Sequence, residues 1–254
     1  MPFTAKSGKF NASINTVEFG TGDKAVKIGG ENVFPLYSFD AAIENAPKVG
    51  IEITDFGMEH EPECIKKYYE GCATLADMAR KAASMEGVDF LSFRMEGGDP
   101  NGANKSTEEL IGELKEIADA VDLPLVVCGC KNVEKDAELF SKAAEALNGK
   151  NAVILSAKEE NYKTVGAAAG LAYKQIVGAE SAVDINLAKQ LNVLISQLGV
   201  DSKSVVMNVG SAAVGYGFEY VISTMDRVKA AALGQADAQL QMPIITPVAD
   251  EAWN

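Results

Sequence analysis

From about residue 49 the sequence alternates short β-branched runs with amphipathic helical runs, and this alternation limits the possible folds more than any other feature. Val49 to Thr54 reads as a first strand and Phe90 to Met95 as a second. Leu125 to Cys128, Ala152 to Ser156, Gln175 to Val177, Val205 to Asn208 and Pro243 to Val248 follow as the third to seventh. Each is short, mostly apolar and bounded by turn residues, as expected of strands covered by helices. The intervening helices are equally marked. Ser106 and Glu109 have the spacing of a capping box, and Leu110, Ile111, Leu114, Ile117, Ala118 and Val121 then fall on one face. Val133 to Leu147 and Leu187 to Leu198 repeat the pattern. Strand–helix alternation implies parallel strands with right-handed crossovers. No Gly-rich dinucleotide fingerprint follows the first strand, so the sequence predicts a TIM-type parallel β/α barrel rather than a doubly wound sheet.

The two ends depart from this rhythm. Residues 1–45 precede the barrel, and within them Asn15–Glu18 and Ala25–Ile28 flank the turn Gly20-Thr21-Gly22-Asp23. They read as an N-terminal arm with a β-hairpin. Residues 46–254 form the barrel domain, which is C-terminally short: no sequence is left for an eighth strand, so the last strand–helix unit is expected to be missing.

Composition narrows the function classes. A chain of 254 residues that is 47% apolar supports one sizeable core. A net charge of −13 repels phosphate backbones, so nucleic-acid or anionic-membrane partners are not expected. No apolar h-region follows the lysines of the first ten residues, and no apolar run approaches the roughly 20 residues of a membrane span. The expected location is the cytoplasm. Cys64, Cys72, Cys128 and Cys130 read as free thiols. Their spacing is poor for an iron–sulfur cluster: Cys64 and Cys72 fall on one expected helix, roughly 12 Å apart along its axis. A single histidine, His60, argues against a multi-histidine metal site.

In a barrel of this kind, functional groups sit on the loops after the strands. The second strand is followed by Glu96-Gly97-Gly98-Asp99-Pro100-Asn101-Gly102-Ala103-Asn104, whose glycines admit a close backbone approach and whose Asp99 and asparagines offer hydrogen bonds. Read plainly, it is a turn preparing the Ser106 cap. The third strand leads into Cys128-Gly129-Cys130-Lys131. The fourth leads into Lys158 to Lys163, read as a solvated helix start, and the sixth into Val209 to Gly217, which opens a helix. Amides at such a helix start can hold an anion, although the spacing matches no P-loop and a structural loop is the better reading. Inside the strands, period-2 alternation turns Glu52 and Arg94 toward the lumen on neighbouring strands. A salt bridge between them is predicted, because charges in a barrel interior are costly unless paired.

Several phrases taken together resemble one family. They are Gly29-Gly30-Glu31-Asn32-Val33-Phe34-Pro35-Leu36-Tyr37, Asp99 to Asn104, Val133-Glu134-Lys135-Asp136 and Glu160-Asn161-Tyr162-Lys163. Asp184-Ile185-Asn186 leading to Lys189-Gln190-Leu191-Asn192, Gly215-Tyr216-Gly217 with Glu219-Tyr220, and Glu251-Ala252-Trp253 complete the set. In order and spacing the chain resembles the small (delta) subunit of the corrinoid iron–sulfur protein, which works with the acetyl-CoA synthase/carbon monoxide dehydrogenase system. The phrases run from about residue 29 to the last residues; each alone is weak, and the ordered combination is specific.

The resemblance implies a TIM barrel paired with a large subunit that carries the iron–sulfur cluster and the corrinoid-binding domain, with the cobamide lying between that domain and the barrel. It implies a methyl carrier that is charged from methyltetrahydrofolate through a separate methyltransferase and discharged at acetyl-CoA synthase. No catalytic residue and no metal ligand is then expected on this chain. Barrel geometry, rather than a motif known to touch the corrin, places the cofactor-facing rim on the loops bearing Asp99, Asn101, Asn104, Asn161, Asn208 and Tyr216. The chain departs from the family pattern after the sixth strand, where Asn208-Val209 and Ala212-Ala213 replace an acidic residue with proline and a glycine pair. That puts an anionic or glycine-dependent role of this loop in doubt. The family also continues past the Glu251-Ala252-Trp253 phrase for one strand–helix unit, so the chain is either truncated or an open barrel, and an open barrel exposes a sheet edge unless a partner covers it. Two other classes compete. A self-sufficient pterin-dependent methyltransferase would use Asp55, Asn161 and Asn208, and a barrel aldolase would use Lys131 as its Schiff-base lysine.

Overall fold

In the computed structural model, which describes residues 8, 10–34 and 40–252, two short strands come first: β1 (Val17–Phe19) and β2 (Val26–Ile28). They pair antiparallel with Val17 opposite Ile28, giving the hairpin expected around Gly20–Asp23. Of the family-like phrases, Pro35–Tyr37 and Trp253 lie outside the described residues.

The barrel strands and helices then alternate. β3 (Gly50–Thr54) is followed by α1 (Glu63–Tyr68) and α2 (Leu75–Ala83), and β4 (Phe90–Arg94) by α3 (Thr107–Ala120). β5 (Leu125–Cys128) leads to α4 (Val133–Ala146), and β6 (Val153–Ala157) to α5 (Tyr162–Val165), which runs on as a π-helical stretch through Ala172. β7 (Ile176–Glu180) precedes α6 (Ile185–Gln197), and β8 (Val205–Asn208) precedes α7 (Phe218–Lys229). The six strands β3 to β8 are parallel and hydrogen-bonded in sequence order. An order without a switch point is that of a β/α barrel, whereas a doubly wound sheet reverses direction in its middle.

Alternation along the strands sorts the apolar side chains into two separate clusters. Ile53, Leu91, Phe93, Val127, Ile154, Val177 and Met207 turn outward against helical residues such as Leu114, Phe140 and Leu191. Val126, Val153, Leu155, Ile176 and Val206 turn inward and meet Val17, Phe19 and Val26 of the hairpin. The hairpin therefore plugs the end of the lumen where the strands begin. Phe19 is fully buried, edge-on to Phe90 at 5.6 Å, a burial that contributes about 2–3 kcal/mol. Backbone bonds fix the plug: the Gly20 amide donates to the Asn151 carbonyl at 2.7 Å, and the Asn151 side chain donates to the Glu18 carbonyl at 2.9 Å. Gly20 has φ +84°, and a Cβ there would meet Pro124 at 2.4 Å, so this turn requires glycine.

Local signals account for most boundaries. Thr74 and Asp77 form a full reciprocal capping box on α2. Ser106, Asn132 and Asp184 each accept from first-turn amides of α3, α4 and α6, worth about 1 kcal/mol apiece. At Ser106 only the half in which its hydroxyl accepts from the Glu109 amide, at 3.2 Å, is formed.

Two expectations are corrected. The strand expected over Pro243–Val248 is reduced to a single parallel bridge, Met207 with Ile244, with the Ile245 amide donating to the Met207 carbonyl at 2.9 Å. Pro243 and Pro247 have no N–H to donate, which prevents a longer ladder. Cys64 and Cys72 do not share a helix either, because α1 ends at Tyr68 and Cys72 lies beyond it.

Candidate functional site

The lumen changes character along its length. Above the apolar plug, the inward positions at the C-terminal ends of the strands are polar: Glu52, Ser92, Arg94, Ser156, Glu180 and Asn208. Arg94 Nε donates to Glu52 Oε1 at 2.7 Å and a terminal nitrogen donates to Oε2 at 3.0 Å, the bridge predicted from alternation. Ser92 Oγ donates to Glu52 Oε2 at 3.3 Å and lies 3.5 Å from Cys128 Sγ. Across the mouth, Asn208 Nδ2 donates to Ser156 Oγ at 3.0 Å, and Lys158 Nζ sits 3.2 Å from Glu180 Oε1. The C-terminal segment supplies Asp250, whose Oδ2 lies 2.7 Å from Lys131 Nζ and 3.9 Å from Arg94.

These groups satisfy one another. Burial works against the Arg94 charge, but the hydrogen bonds and charge of Glu52, with the charge of Asp250, outweigh it and hold the guanidinium protonated. Burial also opposes ionisation of Asp250, yet the Lys131 hydrogen bond and the Arg94 charge prevail and keep its carboxyl below the usual range. Burial pushes the Cys128 thiol up to about 12, so it is neutral at physiological pH and a poor nucleophile. Glu61 is raised, first by burial and then by Glu52 and Glu96. The mouth is thus lined by an internally paired ionic layer.

The predicted rim residues separate into three situations. Asp99, Asn101 and Asn104 share one turn, in which the Asp99 carboxylate accepts from the Asn101 amide at 3.0 Å and the Asp99 carbonyl accepts from the amides of Gly102 and Asn104. Asn101 and Asn104 are exposed, the latter with φ 51°. Asn208 is buried in the ionic layer, its Oδ1 accepting from the Gly210 amide at 3.0 Å. Asn161 is also buried: it accepts from the Lys158 amide at 2.8 Å and donates to the Val133 carbonyl at 3.2 Å, stapling two loops together. Tyr216 projects into solvent, 84% exposed. The solvated helix start expected at Lys158–Lys163 is therefore only partly so, since Asn161 is buried and Lys158 reaches Glu180.

Among the described residues Asp55 shares no partner with Asn161 or Asn208. Its carboxylate accepts from the Gly97 amide at 2.9 Å and pairs with Lys105 at 3.0 Å. A Cβ on Gly97 would meet Asp55 at 2.2 Å, which explains the glycine. Lys131 is two-thirds exposed and paired with Asp250. Cys128 belongs to the inner cluster and Cys130 to the outer one. Among the described residues no three His, Cys, Asp or Glu side chains are grouped to hold a metal ion, and no helix is long and apolar enough to cross a membrane.

Glu180, Ser156 and Asp250 were not identified from sequence. Alternation carried on from Ile176 through Gly178 would have placed Glu180 inward. Asp250 meets Lys131 across 119 positions, and no local pattern reports such a contact.

A sequence profile described as CO dehydrogenase/acetyl-CoA synthase delta subunit matches residues 16–254. The acetyl-CoA decarbonylase/synthase complex subunit delta of Methanothermobacter thermautotrophicus is 32% identical over 247 residues, covering 96% of this chain and 62% of the relative. The protein of the same name from Methanopyrus kandleri is 33% identical over 227 residues, covering 89% of this chain and 56% of the relative. The chain thus spans about three-fifths of the length of the curated relatives it matches. Among solved structures, Xanthomonas albilineans dihydropteroate synthase is similar at 16% identity and a TM-score of 0.45, covering 79% of this chain and 72% of that one, values that say nothing of function.

Proposed function

Because the chain belongs to the CO dehydrogenase/acetyl-CoA synthase delta subunit family, we propose that it is the small subunit of a heterodimeric corrinoid iron–sulfur methyl carrier in the cytoplasm. Its barrel mouth covers a cobamide held mainly by a large subunit, which also carries the iron–sulfur cluster. A methyltetrahydrofolate methyltransferase and acetyl-CoA synthase are its transient partners. The observation that carries this reading is the match over residues 16–254, nearly the whole chain.

The chemistry of the mouth supports a covering role. The Glu52–Arg94 and Lys158–Glu180 pairs give the mouth a charged, self-paired floor, across whose rim a flat macrocycle would lie. The residues present fit such a group: Tyr216 offers an exposed aromatic face, and Asn101 and Asn104 offer amides to the amide-fringed edge of a corrin. When bound, the corrinoid supplies the cobalt that accepts and releases the methyl group. The chain's own residues exclude water from one face and hold the ring's orientation. The buried Asn161 and Asn208 shape the loops beneath.

Size-exclusion chromatography with ultraviolet–visible spectra, on the chain alone and after co-expression with a candidate large subunit, tests the reading. A colourless chain alone and a heterodimer with corrinoid and iron–sulfur absorption are expected. A chain that ignores the large subunit yet transfers methyl groups from a pterin unaided would replace this reading with the self-sufficient methyltransferase.

A further inference from the structure

The segment that follows Pro243 is firmly rooted and then crosses the opening of the barrel. At the root, Ile244 packs on the outer apolar cluster and Ile245 on the inner one, and the Ile245 amide donates to the Met207 carbonyl of β8. Burial ends after Pro247: none of residues 248–252 is buried. There a single helical turn, Ala249–Glu251, reaches two sides of the rim at once. Asp250 pairs with Lys131, beyond β5, and approaches Arg94 at the end of β4. Glu251 accepts from the Ser211 hydroxyl, beyond β8, at 3.4 Å. β6 and β7 lie between β5 and β8 in the sheet, so a turn tied to both Lys131 and Ser211 spans the lumen rather than skirting it. Arg94 belongs to the floor of the mouth through its bonds to Glu52, which puts Asp250 over the opening.

We propose that residues 248–252 are a strap that closes the mouth in the free chain and swings aside when the mouth takes up its macrocycle. The inference rests on the reading of the mouth as the cover of a cobamide, because the strap and a ring lying across the rim would occupy the same span. The strap is attached in a way that lets it yield. An ion pair whose partners are 67% and 45% exposed is weak and screened by salt. No buried side chain has to be extracted beyond Pro247. Pro247 holds its own φ fixed, so the hinge falls at the exposed Val248, while Ile244 and Ile245 keep the root in place. Opening also carries the Asp250 and Glu251 carboxylates away from the rim of a chain whose net charge is −13. A ligand that fits only the open mouth has its apparent affinity lowered in proportion to the closed fraction. The strap thus sets how readily the mouth is occupied.

Binding of the chain to a cobamide-loaded large subunit tests the strap in two ways. With the accessible Cys64 and Cys72 changed to serine, Ser211→Cys and Glu251→Cys are joined by a short bis-methanethiosulfonate linker that reducing agent removes. The locked chain should bind at least tenfold more weakly than the same chain after reduction. Asp250→Lys turns the attraction to Lys131 and Arg94 into repulsion, and at low salt it should bind about fivefold more tightly than the parent, the factor an exposed pair can supply. That advantage should disappear at about 0.5 M salt, where the pair is screened. Equal binding by the locked and reduced chains overturns the strap, as does an Asp250→Lys chain no tighter than the parent. If neither the parent nor the reduced chain binds the loaded large subunit, it is the reading of the mouth that fails. Hydrogen exchange on the chain alone then decides the strap: residues 248–252 should exchange faster in Asp250→Lys than in the parent at low salt, and equal rates overturn it.

Discussion

The two ends of the lumen are built from the same six strands and obey different physics. At the end where the strands begin, Val17, Phe19 and Val26 of the hairpin meet Val126, Val153, Ile176 and Val206 in a dry apolar contact. At the other end the same inward positions carry Glu52, Arg94, Glu180 and Asn208, with their charges paired across strands. The first arrangement gains stability from burial and tolerates no polar atom. The second gains little net stability, because desolvation offsets the attraction, but it fixes the loops on which a ligand or partner would rest.

The largest effect expected on this contrast comes from the plug. Phe19→Ala should cost about 4 kcal/mol in urea unfolding while leaving assembly with a large subunit intact at saturating protein. A loss of assembly without a loss of stability would break the division between the ends. Next is the paired layer. Arg94→Ala strands Glu52 in a site where its side chain is only 10% exposed and should cost about 3 kcal/mol. The double change Glu52→Gln with Arg94→Met should recover most of that. Equal costs for the single and double variants would show that the pair is not the unit that matters.

The smallest effect is at Asp250. Its pair with Lys131 is about half exposed and screened, so Asp250→Asn should cost less than about 1 kcal/mol at neutral pH. The sign with pH follows from its depressed carboxyl. The contribution is fully present above the ordinary value of 3.8 and is lost as pH falls through the lower folded-state value. Parent and variant melting curves should therefore converge only below about pH 4. Convergence already at pH 6 would assign the effect to another group.

What the sequence discloses follows the same division. Alternation in β3 and β4 is strict enough to place Glu52 beside Arg94, and the strand order follows from chain order. Glu180 escaped because Gly178 and Ala179 carry no strand-like side chain, so β7 was expected to stop at Val177. The hairpin was legible, with its first strand read as Asn15–Glu18, but Phe19 had no part in that reading, because its place inside the lumen depends on packing against strands more than 100 residues away. Of the six rim residues chosen from barrel geometry, Asn101, Asn104 and Tyr216 are exposed, whereas Asn161 and Asn208 bond within the chain. Residue type and loop position do not report which way a side chain turns, since a buried asparagine and an exposed one look alike in sequence.

The central claim is that the mouth, and not the plug, meets the rest of a corrinoid-bearing complex. Hydrogen–deuterium exchange on the chain alone and within a complex with the large subunit and cobamide tests it most directly. The account predicts new protection in the loops at residues 99–104 and 211–217 and none at 17–28. New protection at the hairpin, with the mouth loops exchanging as in the free chain, would contradict it.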